Sequence, residues 1–270
     1  MNSFPDNKRV IDIIEAAAVD EIMPRFQHLS GDDIREKGPG DLVTIADLNA
    51  ERYLSEHLLE LVPGSCVVGE ENADADPDVI KQIQGDAPVW IIDPVDGTGN
   101  FSRGQAPFVV IVAYVEGGVT KTGWIHDPIT GETIHAELGK GAWSGDRRLT
   151  LPAPPPIEEM VGSLSPRVAQ RLASQKVGAI RRVNCVGRDY MDLSLGGLHY
   201  ARFAFRLKPW DHAAGVLIHS EAGGYSRLVK SDAAYTPGLT PDETMKTNEI
   251  LLMAPGRASW ETITSMLADT

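Results

Sequence analysis

Two carboxylates, Asp93 and Asp96, close the apolar run Trp90-Ile91-Ile92 and lead straight into Gly97-Thr98-Gly99-Asn100. A buried strand that ends in acids and then in a Gly/Thr turn suits a metal ion with a phosphate beside it. Carboxylates are hard oxygen ligands. A Gly/Thr backbone can approach an anion closely and point N–H groups at it, above all where a helix begins. The same residues also have an ordinary reading, because an Asp in a D-G-T turn caps backbone groups. Their weight as a site depends on other acids elsewhere in the chain.

Such acids are present in three more segments. Asp47 ends DLVTIAD at the start of a predicted helix. Glu70 and Glu71 follow the strand-like SCVVG, where a Glu-Glu pair by itself reads equally well as a solvated loop. Asp211 opens WDHAAGVLIHSEAGG. Each segment offers a carboxylate where buried structure meets a loop. Two or three Mg²⁺ ions could use such a set, since Mg²⁺ takes octahedral oxygen ligands and keeps waters and substrate phosphate oxygens. Multi-metal phosphoester hydrolysis needs an activated water on one side and a stabilised leaving oxygen on the other.

The elements that must position these residues follow from periodicity. Residues 6–28 have the spacing of an amphipathic helix, and a second helix runs from Asp47 to Pro63-Gly64. Between them, GDDIREKGPGD is a polar, Gly-rich connection holding Lys37, expected to be a mobile loop. Residues 73–86 read as acidic surface helix or loop. FVVIVAYV, VTKTGWIHD and ETIHAEL predict an antiparallel meander over 108–150. His126 and His135 lie in it and read as sheet residues rather than ligands. The three prolines 154–156 favour an extended connector. They divide the chain into an N-terminal subdomain, 1–150, and a C-terminal one, 151–270. Beyond them strands and helices alternate: VGSLS, the helix PRVAQRLASQ, AIRRVNC, the helix GRDYMDLSLGGL, RFAFRL, the Asp211 helix, YSRLV, ILLMAP and a final helix ASWETITSML.

With 270 residues, 42% hydrophobic and 23% charged, the chain has ordinary globular composition. A net charge of -13 argues against a generally basic nucleic-acid surface. An acidic protein that binds phosphate needs something to offset repulsion, and divalent metal does so. Cys66 and Cys185 have no metal spacing and are expected to be buried, reduced thiols. No secretory signal pattern is visible, and no apolar stretch approaches the ~20 residues of a membrane span. The expectation is a soluble, cytoplasmic protein.

WIIDPVDGTGNF, VVGEEN, DLVTIAD and KPWDHAAG, in these places and at these spacings, resemble the motif set of the inositol monophosphatase family of Mg²⁺-dependent, lithium-sensitive phosphatases. The similarity runs over about residues 8–267. It implies an α+β fold, a layered αβαβα sandwich, and a homodimer. It further implies that Glu70, Asp93 and the Val95 carbonyl hold one metal, that Asp93, Asp96 and Asp211 hold a second, and that Glu70 helps a weaker third. Thr98, bonded to Asp47, would orient or deprotonate the attacking water. The Gly97 and Thr98 N–H groups, with Asp96 alongside, would hold the substrate. Glu71 would be structural, Asn100 and Phe101 would shape the turn, and Lys37 lies near the family's mobile loop. Li⁺ would inhibit.

The resemblance is weaker where a substrate would be chosen. Members acting on inositol phosphates contact sugar hydroxyls through a Gly-Thr/Ser-Ala segment and a Glu seven residues before the WD aspartate. Here those places hold Gly187-Arg188-Asp189 and Ala204. Arg188 and Asp189 are candidate substrate contacts, or equally a salt-bridged or capping pair at a helix start. A similar Asp occurs in the family's histidinol-phosphate phosphatases, which keep the Glu missing here. The expected activity is a phosphomonoesterase on a small, inositol-monophosphate-like metabolite. Alternatives are histidinol-phosphate phosphatase, fructose-bisphosphatase or nucleotide 3′-phosphatase, or a regulatory protein that binds RNA polymerase or RNA. Nucleic acid is not expected as the main partner.

Overall fold

The computed structural model describes residues 4–172 and 178–267. Helix α1 (Asn7–Ala17) is capped by Asp6, whose carboxylate accepts the Arg9 N–H, and it buries Val10, Ile14 and Ala17. The single helix expected over 6–28 changes pitch twice, to a π turn at Ala18–Ile22 and a 3₁₀ turn at Met23–Arg25. Pro24 has no N–H for the i−4 carbonyl. The Arg25 guanidinium donates to the Asp20 and Glu21 carbonyls instead.

The polar stretch expected as a loop is a hairpin. Strand β1 (Ile34–Gly38) pairs antiparallel with β2 (Asp41–Thr44), Gly38 opposite Asp41. Pro39-Gly40 forms the turn, with Gly40 at φ 76°, the left-handed region that turn glycines supply. Helix α2 (Ile45–Leu61) starts on a reciprocal Thr44–Asp47 cap. Strand β3 (Cys66–Gly69), helix α3 (Glu70–Ala75) and strand β4 (Val89–Asp96) follow, then the single turn α4 (Thr98–Phe101). The expected meander is β5 (Val109–Glu116), β6 (Val119–Asp127), β7 (Glu132–Glu137), β8 (Gly141–Ser144) and β9 (Arg147–Leu149). Strands β3 to β9 lie in sequence order in one sheet, with only β3–β4 parallel.

After the prolines come β10 (Gly162–Ser163), α5 (Pro166–Leu172), β11 (Ile180–Arg181), α6 (Val186–Leu195), β12 (Tyr200–Ala204) and α7 (Pro209–Glu221). Strand β13 (Tyr225–Leu228), α8 (Pro241–Thr247), β14 (Ile250–Ala254) and α9 (Arg257–Leu267) complete the chain. The five strands order β11-β10-β12-β14-β13. Helix α8 was not expected; it is short and buries only Thr244. Residues 173–175 of the helix expected after Pro166 lie outside the described residues.

Side-chain alternation along the strands sorts the layers. Trp90, Ile92, Val110 and Val112 face α1 and α2. Ile91, Ile111 and Ala113 face the opposite way, onto α6 and α7, whose other side meets Ala201, Leu251 and Met253 of the second sheet. Tyr200, Leu252 and Ala254 turn outward to α5 and α9. The result is the αβαβα sandwich. Its middle layer is tight: a Cβ on Gly123 would lie 2.7 Å from the Ala214 Cα, and one on Gly215 2.2 Å from the Tyr190 ring. Among the described residues, no helix is long and apolar enough to cross a membrane.

Candidate active site

Asp93 and Asp96 would point to opposite faces of a regular strand, because they are an odd number of residues apart. They do not, because the β4–β5 ladder is irregular between them. Asp93 pairs with Ile111 and Asp96 with Val109, so three steps on β4 match two on β5. Pro94 cannot donate to the ladder, and the extra residue is absorbed as a bulge. Both carboxylates therefore share the face of Ile111 and Val109, toward the middle layer, where α6 and α7 begin.

There Asp96 meets the start of α6. Its Oδ2 accepts the Gly187 N–H and lies 3.1 Å from the Cys185 thiol. Gly187 has to be small, since a Cβ would come 2.5 Å from Val109. Asp211 enters in the first turn of α7, after Pro209. Glu70 enters at the first position of α3. Burial raises the Asp93 carboxyl well above its ordinary value, and Glu70, Asp96 and Asp211 raise it further. Asp96 is raised by burial against the opposing Gly187 and Cys185 bonds. Asp211 is raised by burial, with Lys208 opposing and Asp96 and Glu70 reinforcing. The three segments thus bring their carboxylates within electrostatic reach of one another.

Two ammonium groups answer that charge. Lys208 Nζ lies 3.1 Å from Glu70 Oε1, and Lys37 Nζ lies 3.1 Å from Glu71 and also pairs with Asp74. Burial alone would lower both amines, but Glu70 and its neighbours hold them above their ordinary value. Burial, then Glu70, pushes Glu71 up to about 8. Lys37 is thus held on strand β1 rather than in a free loop.

Thr98 sits beside the acids. Its Oγ1 is 3.1 Å from Asp47 Oδ1 and 2.9 Å from the Val95 carbonyl. The other Asp47 oxygen accepts the Thr44 N–H and hydroxyl. Burial pushes Asp47 up to about 6, against those bonds. Gly97 precedes Thr98 at φ 94°, and a Cβ there would lie 2.9 Å from the Pro107 carbonyl. Glu51, one turn beyond Asp47, accepts the Glu71 and Asn72 N–H groups, and a Cβ on Gly69 would overlap it. That contact accounts for the glycine in VVGEEN.

The donor set suits a hard divalent cation: every member is an oxygen, and lysine ammonium groups already occupy positions against Glu70. The cage itself is not closed. Among the described residues, no three Asp, Glu, His or Cys side chains are gathered as a metal ion would need. Asp96 is turned to α6 and Glu70 to the lysines, so ligation requires these side chains to exchange partners.

A cavity of about 390 Å³ opens beside Asp96 and Asp211. It lies at the carboxyl ends of the parallel strands β11, β10 and β12, a usual place for ligands in open sheets. Asp189 and Ala204 line it. Asp189 Oδ2 accepts the Ser163 hydroxyl, and burial pushes its carboxyl up to about 6. Arg188, expected as a substrate contact, is not on the cavity wall. Its guanidinium is taken by Asp127 and Asp192, the salt-bridged alternative. His126 bonds Thr133 and stays away from the acids. Cys185 is buried but Cys66 only partly so.

Lys208, Glu51 and the Cys185 thiol were not recognised from sequence. Asp47 and Glu51 at i and i+4 were a usable signal, since that spacing puts both on one helix face. Lys208, next to Pro209-Trp210-Asp211, was another.

Known proteins resemble this chain over most of its length. The model of the inositol monophosphatase family matches residues 7–256. A fructose-1,6-bisphosphatase/inositol-1-monophosphatase of Thermotoga maritima is 32% identical over 234 residues, covering 82% of this chain and 88% of the relative. Nus factor SuhB of Vibrio cholerae is 32% identical over 201 residues, covering 70% and 72%. Among solved structures, a Thermotoga maritima IMPase superposes with a TM-score of 0.79 at 25% identity, covering 96% of this chain and 95% of that one.

Proposed function

The chain belongs to the inositol monophosphatase family, and on that premise we propose that it is a Mg²⁺-dependent phosphomonoesterase acting on a small phosphorylated metabolite. The observation that carries this is the convergence of Glu70, Asp93, Asp96 and Asp211 from three separate segments to within electrostatic reach of one another, with the Thr98–Asp47 hydrogen bond next to them. Mutual repulsion among buried carboxylates is a liability unless a cation is to be bound there.

Glu70, Asp93, Asp96, Asp211 and the Val95 carbonyl are the groups that would hold Mg²⁺. When bound, the ion makes a water a stronger nucleophile and neutralises the departing alkoxide. Thr98 is a weak base, and its role is to orient that water. Asp47 fixes the Thr98 hydroxyl, and Thr44 fixes Asp47 through two hydrogen bonds. The Gly97 and Thr98 N–H groups hold phosphate at the turn. Asp189 reads a hydroxyl or amine of the substrate. The enzyme is taken to act as a cytoplasmic homodimer, which sizing by light scattering would check.

The direct test is phosphate release from inositol 1-phosphate, histidinol phosphate, fructose 1,6-bisphosphate and adenosine 3′,5′-bisphosphate, with Mg²⁺ or with chelator. Mg²⁺-dependent release, inhibited by Li⁺, is expected. A folded protein that releases no phosphate from any of them would refute the proposal. The likeness to Nus factor SuhB favours a second reading, a regulatory protein that partners RNA polymerase or RNA. Pull-down of polymerase at physiological salt by wild type and by Asp96→Asn alike would support it.

A further inference from the structure

The cavity has two unlike walls. Asp96 and Asp211 supply one, while Arg182, Arg202 and Arg206 line the other. The arginines flanking this cavity on the neighbouring helix and strand find carboxylates, whereas, among the described residues, these three do not. Arg181 pairs with Asp192, and Arg188 with Asp127 and Asp192. Among the described residues, Arg182 reaches only the Asn184 amide oxygen. Among the described residues, Arg202 and Arg206 have no hydrogen-bond or ion-pair partner.

Arg202 is half-buried, and burial lowers its guanidinium with no carboxylate offsetting it. A desolvated, unpaired charge is costly. Such a group persists where a ligand completes it. The turn that follows is itself constrained. Phe205 is 68% exposed and sits at φ 76°, an outlier for a bulky side chain. That turn sets Arg206 on the cavity rim.

We propose that Arg202 and Arg206 read a second anionic group on the substrate, so that the preferred substrate is a small phosphate monoester carrying a further phosphate or a carboxylate. This rests on the phosphatase reading and specifies its substrate class. The acidic wall takes the phosphate to be cleaved and the basic wall takes the other anion. A guanidinium fork suits phosphate and carboxylate alike. Asp189 supports a polar middle between the walls, because its Oδ1 is buried and unpartnered and can accept a substrate hydroxyl.

The test compares kcat/KM for esters with a second phosphate (fructose 1,6-bisphosphate, adenosine 3′,5′-bisphosphate), with a carboxylate (3-phosphoglycerate), and with neither (glycerol 2-phosphate). Doubly anionic esters should be preferred by about tenfold or more, the scale of one charged hydrogen-bonding contact. Arg202→Gln and Arg206→Gln should each shrink that preference about tenfold, through KM rather than kcat. Arg206 is exposed, so its variant tests the idea even if Arg202→Gln folds poorly. Whichever of the phosphate and carboxylate arms carries the preference identifies the second group. Equal kcat/KM across the classes, or a loss in the variants shared by glycerol 2-phosphate, overturns the inference and leaves the phosphatase reading intact. If no ester is cleaved, the phosphatase reading fails. Calorimetric titration with fructose 1,6-bisphosphate then still decides, since unchanged affinity in Arg206→Gln overturns the anion site and a tenfold loss upholds it.

Discussion

The acidic wall and the basic wall of the cavity are built by different means. The acidic wall, Asp96 and Asp211, comes from the end of β4 and the first turn of α7, and Asp96 is buried and held by the Gly187 N–H. The basic wall hangs on the short strands β11 and β12 and the turn after them, where side chains are half-buried or exposed and, among the described residues, have no carboxylate partner. Reaction chemistry demands fixed geometry, whereas choosing a substrate needs only a few contacts that can differ between relatives. The contrast predicts that changes on the acidic wall alter whether anything is cleaved, and changes on the basic wall alter what is.

The largest effect should come from Asp93→Asn or Asp211→Asn. Each should lower phosphate release on every substrate by about 10³-fold or more, while circular dichroism stays native. Near-normal turnover in either variant would break the comparison at its root. Thr98→Ala should cost about 10²-fold in kcat, the scale of a misplaced proton-handling group, with KM little changed. A purely KM effect would move Thr98 from the water to the substrate.

Stability sharpens the contrast in another way. Gly215→Ala drives a Cβ into the Tyr190 ring and should cost about 1–3 kcal/mol in denaturant unfolding. The middle layer would then be set by close packing rather than by the site.

The smallest effect has the least intuitive sign. Glu51 and Glu71 are pushed up to about 7 and about 8, above their unfolded range, by burial first. The folded state therefore binds more protons, and that stability is present at low pH and lost as pH rises through 7 and 8. His212 and His219, lowered by burial to about 3 and about 4, act oppositely, but only below the ordinary histidine value. With chelator present, the melting temperature should fall as pH rises from about 6.5 to 8.5. Asp93→Asn, which removes one raised carboxylate, should increase it by about 2–4 °C if the relief is about 1 kcal/mol. A lower melting temperature in that variant would mean that Asp93 is structurally satisfied as an anion.

Much of the acidic wall was legible in the chain, because strand ends and helix starts are local signals. The Asp47 cap, Asp93 and Asp96 at the end of β4, and Asp211 in the first turn of α7 all stand where the periodicity placed them. The basic wall was not legible. An unpaired arginine looks no different in sequence from Arg188, which is paired twice, and only the fold separates them. The Lys37 hairpin was also missed, since IREKG lacks the apolar alternation by which a strand is recognised and is paired only through its backbone.

By itself the sequence determined most of the order of elements, the family and which acids are the candidates, because those depend on local periodicity and on motifs of adjacent residues. Only the tertiary structure decided that a bulge at Pro94 turns Asp93 and Asp96 to one face, that Lys37 and Lys208 balance Glu70, and which arginines are left free. Those outcomes depend on distances between segments far apart in the chain, and on burial, which strengthens every charge it leaves unpaired.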